Sequence, residues 1–288
     1  MMRYNFAMRC VLVTLLIGSI LGNATAGLDD PCCIDEVVSV YYFEKNRVKI
    51  TDQGRFPQTD DSGPRGNHAV LETGARMTDD GKFGKGLQLS AEGEIYAALN
   101  DELRLSREFS IVAWVKIPQQ EDAFNLGMIA FTEQREGAGA AVLKVLSDGD
   151  IYGVYTSFQW IGDVPLDSTV ESQGSNVTDG EWHHIAFTKY ANDLSLYIDG
   201  ELVAQEVDLL RISFSGALTF IYLKPQPDSQ ITDQIVIDDS GFFGTGFSIY
   251  EIQALYNHQQ GLEGFLTAMP VNPQDNSVTT WGDIKARR

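Results

Sequence analysis

Cysteine is scarce in this 288-residue chain, which has three: Cys10, Cys32 and Cys33. Adjacent cysteines bridge each other only with backbone strain, so a disulfide-dense small fold is excluded. Cys32 and Cys33 are expected to be free thiols or to join two chains through an intermolecular disulfide. Basic residues are also few, 21 Lys and Arg against 40 Asp and Glu, for a formal net charge of −19. No Lys/Arg cluster is present to release counterions from a polyanion, which excludes nucleic acid as the expected partner. The acidity suits divalent cations better, and it also serves plain solubility.

Long apolar runs are limited to Cys10 to Leu21, too short for a secure bilayer span. With Arg3 and Arg9 before it and Ala24-Thr25-Ala26 behind, this run reads as a secretory signal over residues 1–26. The expectation is a secreted, extracellular or periplasmic protein with no membrane insertion once the signal is removed. Removing it takes away two of the basic residues and none of the acidic ones. No repeat with a period of roughly 20–50 residues recurs, so solenoids and propellers drop out. G-x-S-x-G, HExxH and His-x-His are absent, which leaves no serine elbow or zinc spacing. The neighbours His183 and His184 face opposite ways on a strand and do not make a zinc pair. Gly81-Lys82-Phe83-Gly84-Lys85-Gly86 lacks the phosphate-loop spacing and reads as a turn before a strand.

What is present is two-residue alternation. From Glu181 to Val207, Ile185, Phe187 and Lys189 alternate with Ala186, Thr188 and Tyr190, and Leu194, Leu196 and Ile198 with Ser195, Tyr197 and Asp199. Asp199-Gly200 tolerates positive φ at both turn positions, so a third strand folds back through Leu202 and Ala204. Such a meander exposes an apolar face that only a second sheet covers, which predicts a β-sandwich. Phe109 to Ile117 is apolar on both faces and reads as central, ended by Pro118. Further strands are expected at Val37–Phe43, Gly127–Thr132, Ala140–Leu146, Ile151–Gln159, Ala217–Leu223 and Ile235–Phe243. Residues 44–66, rich in Asp, Gly, Pro and Ser, read as a long loop. One short helix is expected after Ser248, where Ile249, Ile252, Leu255 and Tyr256 recur at helical spacing and Glu251 completes a capping box. The expected domain covers residues 35–262, with a tail at 263–288 that ends in Lys285, Arg287 and Arg288.

Five segments in this order resemble the laminin G-like, or concanavalin A-like lectin/glucanase, jelly-roll superfamily. They are Tyr42-Phe43 with the Asp61-Ser62-Gly63 loop; Gly81 to Gly84 before Leu87-Gln88-Leu89; Phe109 to Lys116; Asp179 to Ala186 with the Asp199-Gly200 hairpin; and Ile237-Asp238-Asp239 with Glu251 to Tyr256. The resemblance implies an all-β, two-sheet antiparallel jelly-roll sandwich with one short C-terminal helix. It also implies a calcium ion near the rim, at Asp61, Asn67, Asp238 and Asp239, because calcium takes six to eight oxygens. The sequence departs from that pattern at Pro64-Arg65, and adjacent Asp238 and Asp239 point to opposite faces of a strand.

Some members of this superfamily are glycosidases, with a Glu-x-Asp-x-x-Glu string that places alternate acids on one face. This chain has no such string, so hydrolysis is the less favoured expectation. Sugar stacking needs exposed aromatics, and Tyr152, Tyr155, Phe158 and Trp160 are the candidates; Tyr152, Phe158 and Trp160 share strand parity and Tyr155 lies opposite. The same aromatics also suit the core between two sheets. Asn176-Val177-Thr178 fits a glycosylation acceptor in a host that uses it. The resulting expectation is a secreted non-catalytic module binding a glycan or an extracellular protein, with calcium as cofactor. The alternative is a structural component assembled through Cys32, Cys33 and the tail.

Overall fold

The computed structural model describes residues 37–268, apart from 45, 52–53, 73, 91–92, 99–107, 120–124, 132–138, 162–163, 209–219 and 226–233. The signal-like segment, the three cysteines and residues 269–288 lie outside the described residues. The chain forms β1 (Val37–Tyr41), β2 (Asn46–Thr51), β3 (Gly54–Thr59), β4 (Ala69–Leu71), β5 (Ala75–Thr78) and β6 (Gly86–Leu89). These are followed by β7 (Ile95–Ala98), β8 (Phe109–Lys116), β9 (Asn125–Phe131), β10 (Gly139–Leu146), β11 (Ile151–Ile161) and β12 (Val164–Glu171). Next come β13 (Trp182–Tyr190), β14 (Asp193–Ile198), β15 (Glu201–Val207), β16 (Phe220–Pro225) and β17 (Ile235–Phe243), then α1 (Ile249–Tyr256) and α2 (Gly261–Ala268).

Two antiparallel sheets result. The eight-stranded sheet runs β15-β14-β13-β8-β17-β6-β5, with β1 also pairing β17, and the nine-stranded sheet runs β12-β11-β10-β9-β16-β7-β4-β3-β2. Alternation sets which side chains meet between them. Phe109, Ile111, Ala113 and Val115 of β8 and Ile185 and Phe187 of β13 pack with Leu126, Met128, Leu143 and Val145 of the other sheet. The Phe109 ring lies 5.0 Å from Phe187 and 5.3 Å from Tyr155. Each of the Val, Leu, Ile, Phe and Met side chains among these contributes about 1.5–3 kcal/mol through burial. The meander is as its pattern implies: Ile185 pairs Ile198, and Asp199 and Gly200 have φ of 51° and 81° at the turn into β15.

The outer face of the eight-stranded sheet is covered too. Val112, Ala186, Tyr197 and Phe243 form a second cluster with Phe247, with Ile252 and Leu255 of α1, and with Leu262, Phe265 and Leu266 of α2. All nine residues of β17 are buried, and so are all of β8 except Lys116, which explains why β8 is apolar on both faces. At the start of α1, Ser248 and Glu251 form the expected capping box.

Several elements differ from the sequence reading. Residues 44–66 are not one long loop, because β2 and β3 pair there with Val48 opposite Pro57. β12 was hidden by Pro165, Asp167 and Ser168; it is an edge strand, where proline is tolerated. A second helix, α2, carries the packed fold to Ala268, so residues 263–268 belong to it and not to a tail. Gly261 and Gly264 weaken the helical signal of that eight-residue segment. No helix among the described residues is long and apolar enough to cross a membrane.

Candidate functional site

On β9, β10 and β11 the residues that alternate with the core point to the outer face of the nine-stranded sheet. Lys144 of β10 pairs with Tyr152 of β11, which pairs in turn with Glu171 of β12, so these three stand in one row across neighbouring strands. Cross-strand neighbours of this kind interact directly. Lys144 Nζ lies 5.8 Å from the centre of the Tyr152 ring, a cation–π arrangement. Asn125, Lys144, Leu146, Tyr152 and Glu171 line a depression of about 350 Å³. That volume falls within the usual range for small-molecule sites. The lining offers one aromatic ring, an ammonium, an amide and a carboxylate. Beside it, the Thr156 hydroxyl donates to Asp167 of β12.

The four aromatic candidates of β11 separate. Tyr152 is half-buried at the depression, whereas Tyr155 is wholly buried between the sheets. Burial, and then the charge of Asp208, raise the Tyr155 phenol pKa, and the ammonium of Lys189 sits 5.2 Å from its ring. The side chains of Phe158 and Trp160 lie outside the described residues. The register of β11 against β12 shifts between Ser157 and Trp160, so parity counted from Tyr152 does not carry through to Trp160.

The four residues of the calcium expectation fall into two separate settings. Asp61 Oδ1 accepts from the backbone N–H groups of Val40 (2.9 Å) and Gly63 (2.7 Å), and its Oδ2 accepts from Asn67 N–H (2.7 Å). Asn67 Nδ2 donates to the Val38 carbonyl (2.9 Å), and Tyr41 Oη to the Asn67 carbonyl (2.7 Å). These bonds tie the loop after β3 to β1. Burial raises the Asp61 pKa, opposed by those three N–H groups.

Asp238 accepts from Phe83 N–H (2.9 Å) and Asp239 N–H (2.8 Å), and Asp239 accepts from Leu262 N–H (2.7 Å) at the start of α2. A φ of 46° at Asp239, within a bulge of β17, turns its carboxylate toward α2. Burial pushes Asp238 up to about 6; burial and the neighbouring Asp238 raise Asp239 well above the ordinary carboxylate value. Among the described residues no group of three or more His, Cys, Asp or Glu side chains is placed to hold a metal ion.

The two histidines face opposite ways. His183 Nδ1 bonds Asp199 Oδ2 at 2.8 Å and its Nε2 bonds Asp179 Oδ1 at 3.1 Å. Burial lowers the His183 pKa, but the two carboxylates outweigh it and hold it above the ordinary value. His184 points under α1, beside Trp114 (5.4 Å) and Tyr256 (6.3 Å). Burial lowers the His184 pKa to about 4.

Sequence reasoning missed Asn125, Lys144 and Glu171. The available signal was parity: Lys144 and Leu146 alternate with the core residues Leu143 and Val145. The partnership of β10 with β12 through Tyr152 is tertiary.

Comparison with known proteins adds a family and a fold. A laminin G family model, described as the concanavalin A-like lectin/glucanases superfamily, matches residues 91–242. No curated protein matches the chain in a sequence search. Among solved structures, the binding domain of Paraclostridial Mosquitocidal Protein 1 is similar with a TM-score of 0.57 and 15% identity, over 77% of this chain and 52% of that one. The receptor binding domain of botulinum neurotoxin D is similar with 0.55 and 14%, over 77% and 52%. The botulinum neurotoxin serotype G binding domain gives 0.54 and 15%, over 76% and 50%. This chain spans about half the length of these structures, and at such identities the likeness is one of fold alone.

Proposed function

The chain belongs to the concanavalin A-like lectin/glucanases superfamily, and from that premise we propose that it is a non-catalytic binding module that takes a glycan on the outer face of its nine-stranded sheet. The observation that carries this reading is the depression in which Tyr152 is flanked by Lys144 and Glu171. A half-buried ring gives a sugar face a surface to stack on, and the ammonium, amide and carboxylate bond its hydroxyls. Binding domains of larger toxins share the fold, which supports a recognition role over a catalytic one. A secreted location, implied by residues 1–26, would bring such a face to extracellular glycans. Calcium has no part in the depression under this reading.

A glycan array probed with the whole chain, with and without a chelator, tests it. Signal in both conditions that Tyr152→Ala abolishes is the expected result; no signal in either condition sinks the reading. Release of new reducing ends from a bound oligosaccharide would overturn the non-catalytic part.

A protein surface as the ligand is the second reading, supported by β15. This edge strand exposes Leu202, Val203 and Val207 and leaves one side of its backbone unpaired by any described strand. An extended peptide can add to such an edge. Capture of an extracellular protein that survives Tyr152→Ala but not Val203→Lys would favour it.

A further inference from the structure

We propose that Lys189 and Asp208 condense into an intramolecular amide that staples β13 to the segment after β15. Lys189 Nζ lies 2.6 Å from Asp208 Oδ2, and the two side chains are 2% and 0% exposed. The other carboxylate oxygen, Oδ1, accepts from Ser168 Oγ of β12 at 2.7 Å. The walls are apolar. Phe109 and Leu194 flank Lys189 on the neighbouring strands, and the Tyr155 ring lies 5.2 Å from its ammonium. All three are wholly buried. Burying two charges is costly even when they are paired, and an amide in their place carries none.

The backbone holds both reactants in place. Lys189 is fixed in β13 between β8 and β14, and Asp208 N–H donates to the Asn192 carbonyl at 2.7 Å, one residue past the pairing of Val207 with Asp193. Well-oriented groups held in this way reach effective concentrations of about 10⁵ M or more. The two carboxylate oxygens take separate parts. A proton passes from the ammonium to Oδ2, and the neutral amine then attacks Cγ. Negative charge gathers on Oδ1, where the Ser168 hydroxyl already donates. The Cγ–Oδ2 bond breaks, Oδ2 leaves as water with a second proton from the nitrogen, and Oδ1 remains as the amide carbonyl. One C–N bond forms, one C–O bond breaks, and nothing is oxidised or reduced. No cysteine follows Cys33, so no disulfide closes a loop within the sandwich; this amide would close one over β14 and β15.

Tryptic mapping of the purified full chain by tandem mass spectrometry tests the proposal. The expected result is a branched peptide joining Lys189 to Asp208, lighter by one water than its two parts, with no cleavage after Lys189. The wild-type map decides whether the bond exists without any variant. Lys189→Met and Asp208→Ala should lack the branched peptide. Ser168→Ala keeps both reactants, and in samples taken through a cell-free synthesis it should form the link about 100-fold more slowly.

Complete cleavage after Lys189, with both residues at unmodified mass after prolonged incubation, overturns the proposal. A lost water located at an Asp-Gly turn instead of at Asp208 does the same. Linkage in Ser168→Ala at the wild-type rate overturns the part assigned to the Ser168 hydroxyl.

Discussion

The two outer faces of the sandwich are built from strands of the same geometry and have opposite fates. On the eight-stranded sheet, α1 and α2 cover Val112, Ala186 and Tyr197, and even the polar ring of His184 is only 1% exposed. On the nine-stranded sheet, Tyr152, Val154 and Thr156 of β11 remain partly exposed and Thr169 and Glu171 of β12 exposed. One face is therefore a second core and the other a surface. Substitutions on the first should act on stability, and on the second on binding.

The largest effect is expected at Phe247, which is fully buried and packs 4.7 Å from Phe243 and 6.0 Å from Phe265. Phe247→Ala should cost about 3–5 kcal/mol in urea unfolding. A loss under about 1 kcal/mol would mean that the helices are not sealing this face.

Next is the pH response of His184. Its folded pKa of about 4 lies below the ordinary 6.5, so the unfolded chain takes up the proton first as pH falls. Its contribution is fully present above about pH 6.5 and is lost between there and pH 4, about 3 kcal/mol in total. Asp61, Asp238 and Asp239, all raised, titrate with the opposite sign: their stabilisation is present at low pH and lost as pH rises. The histidine must therefore be read by difference. Relative to His184→Phe, the wild type should lose about 3 kcal/mol from pH 7 to pH 4; parallel curves would show that the ring is not sealed.

A smaller effect belongs to Gly200, which has a φ of 81° and where an added Cβ would meet Tyr256 of α1 at 3.0 Å. Gly200→Ala should cost about 1–3 kcal/mol by thermal melting. Smallest of all, Tyr152→Ala and Lys144→Met on the open face should each shift stability by less than about 1 kcal/mol. If either unfolds the protein, the open face is structural and the comparison fails.

Much of the fold could be read from the chain because alternation is a local consequence of the pleat. The β13-β14-β15 meander, the central β8 and the capped α1 all follow from spacing and turn chemistry over a few residues. Lys189 shows the limit. Alternation put it on the buried face with Ile185 and Phe187, but only the fold supplies its partner, Asp208, at 2.6 Å, itself bonded by Ser168 of β12. The elements that were missed lacked a local signature: β12 carries a proline, and α2 has two glycines in eight residues. Of the candidate site, Tyr152 was legible as an aromatic of the right parity. Asn125, Lys144 and Glu171 were not, because residues from different strands become neighbours only through register.

The chain alone determined the two-sheet class and the inner core, since side-chain period and turn residues act within a few positions of each other. Tertiary structure decided which outer face the helices would cover and which would stay open. It also decided that Asp61 would serve backbone N–H groups, and that one row of the open sheet would set an aromatic between charges of opposite sign. Those outcomes depend on strand order and register, which are fixed by the packing of segments far apart in the chain.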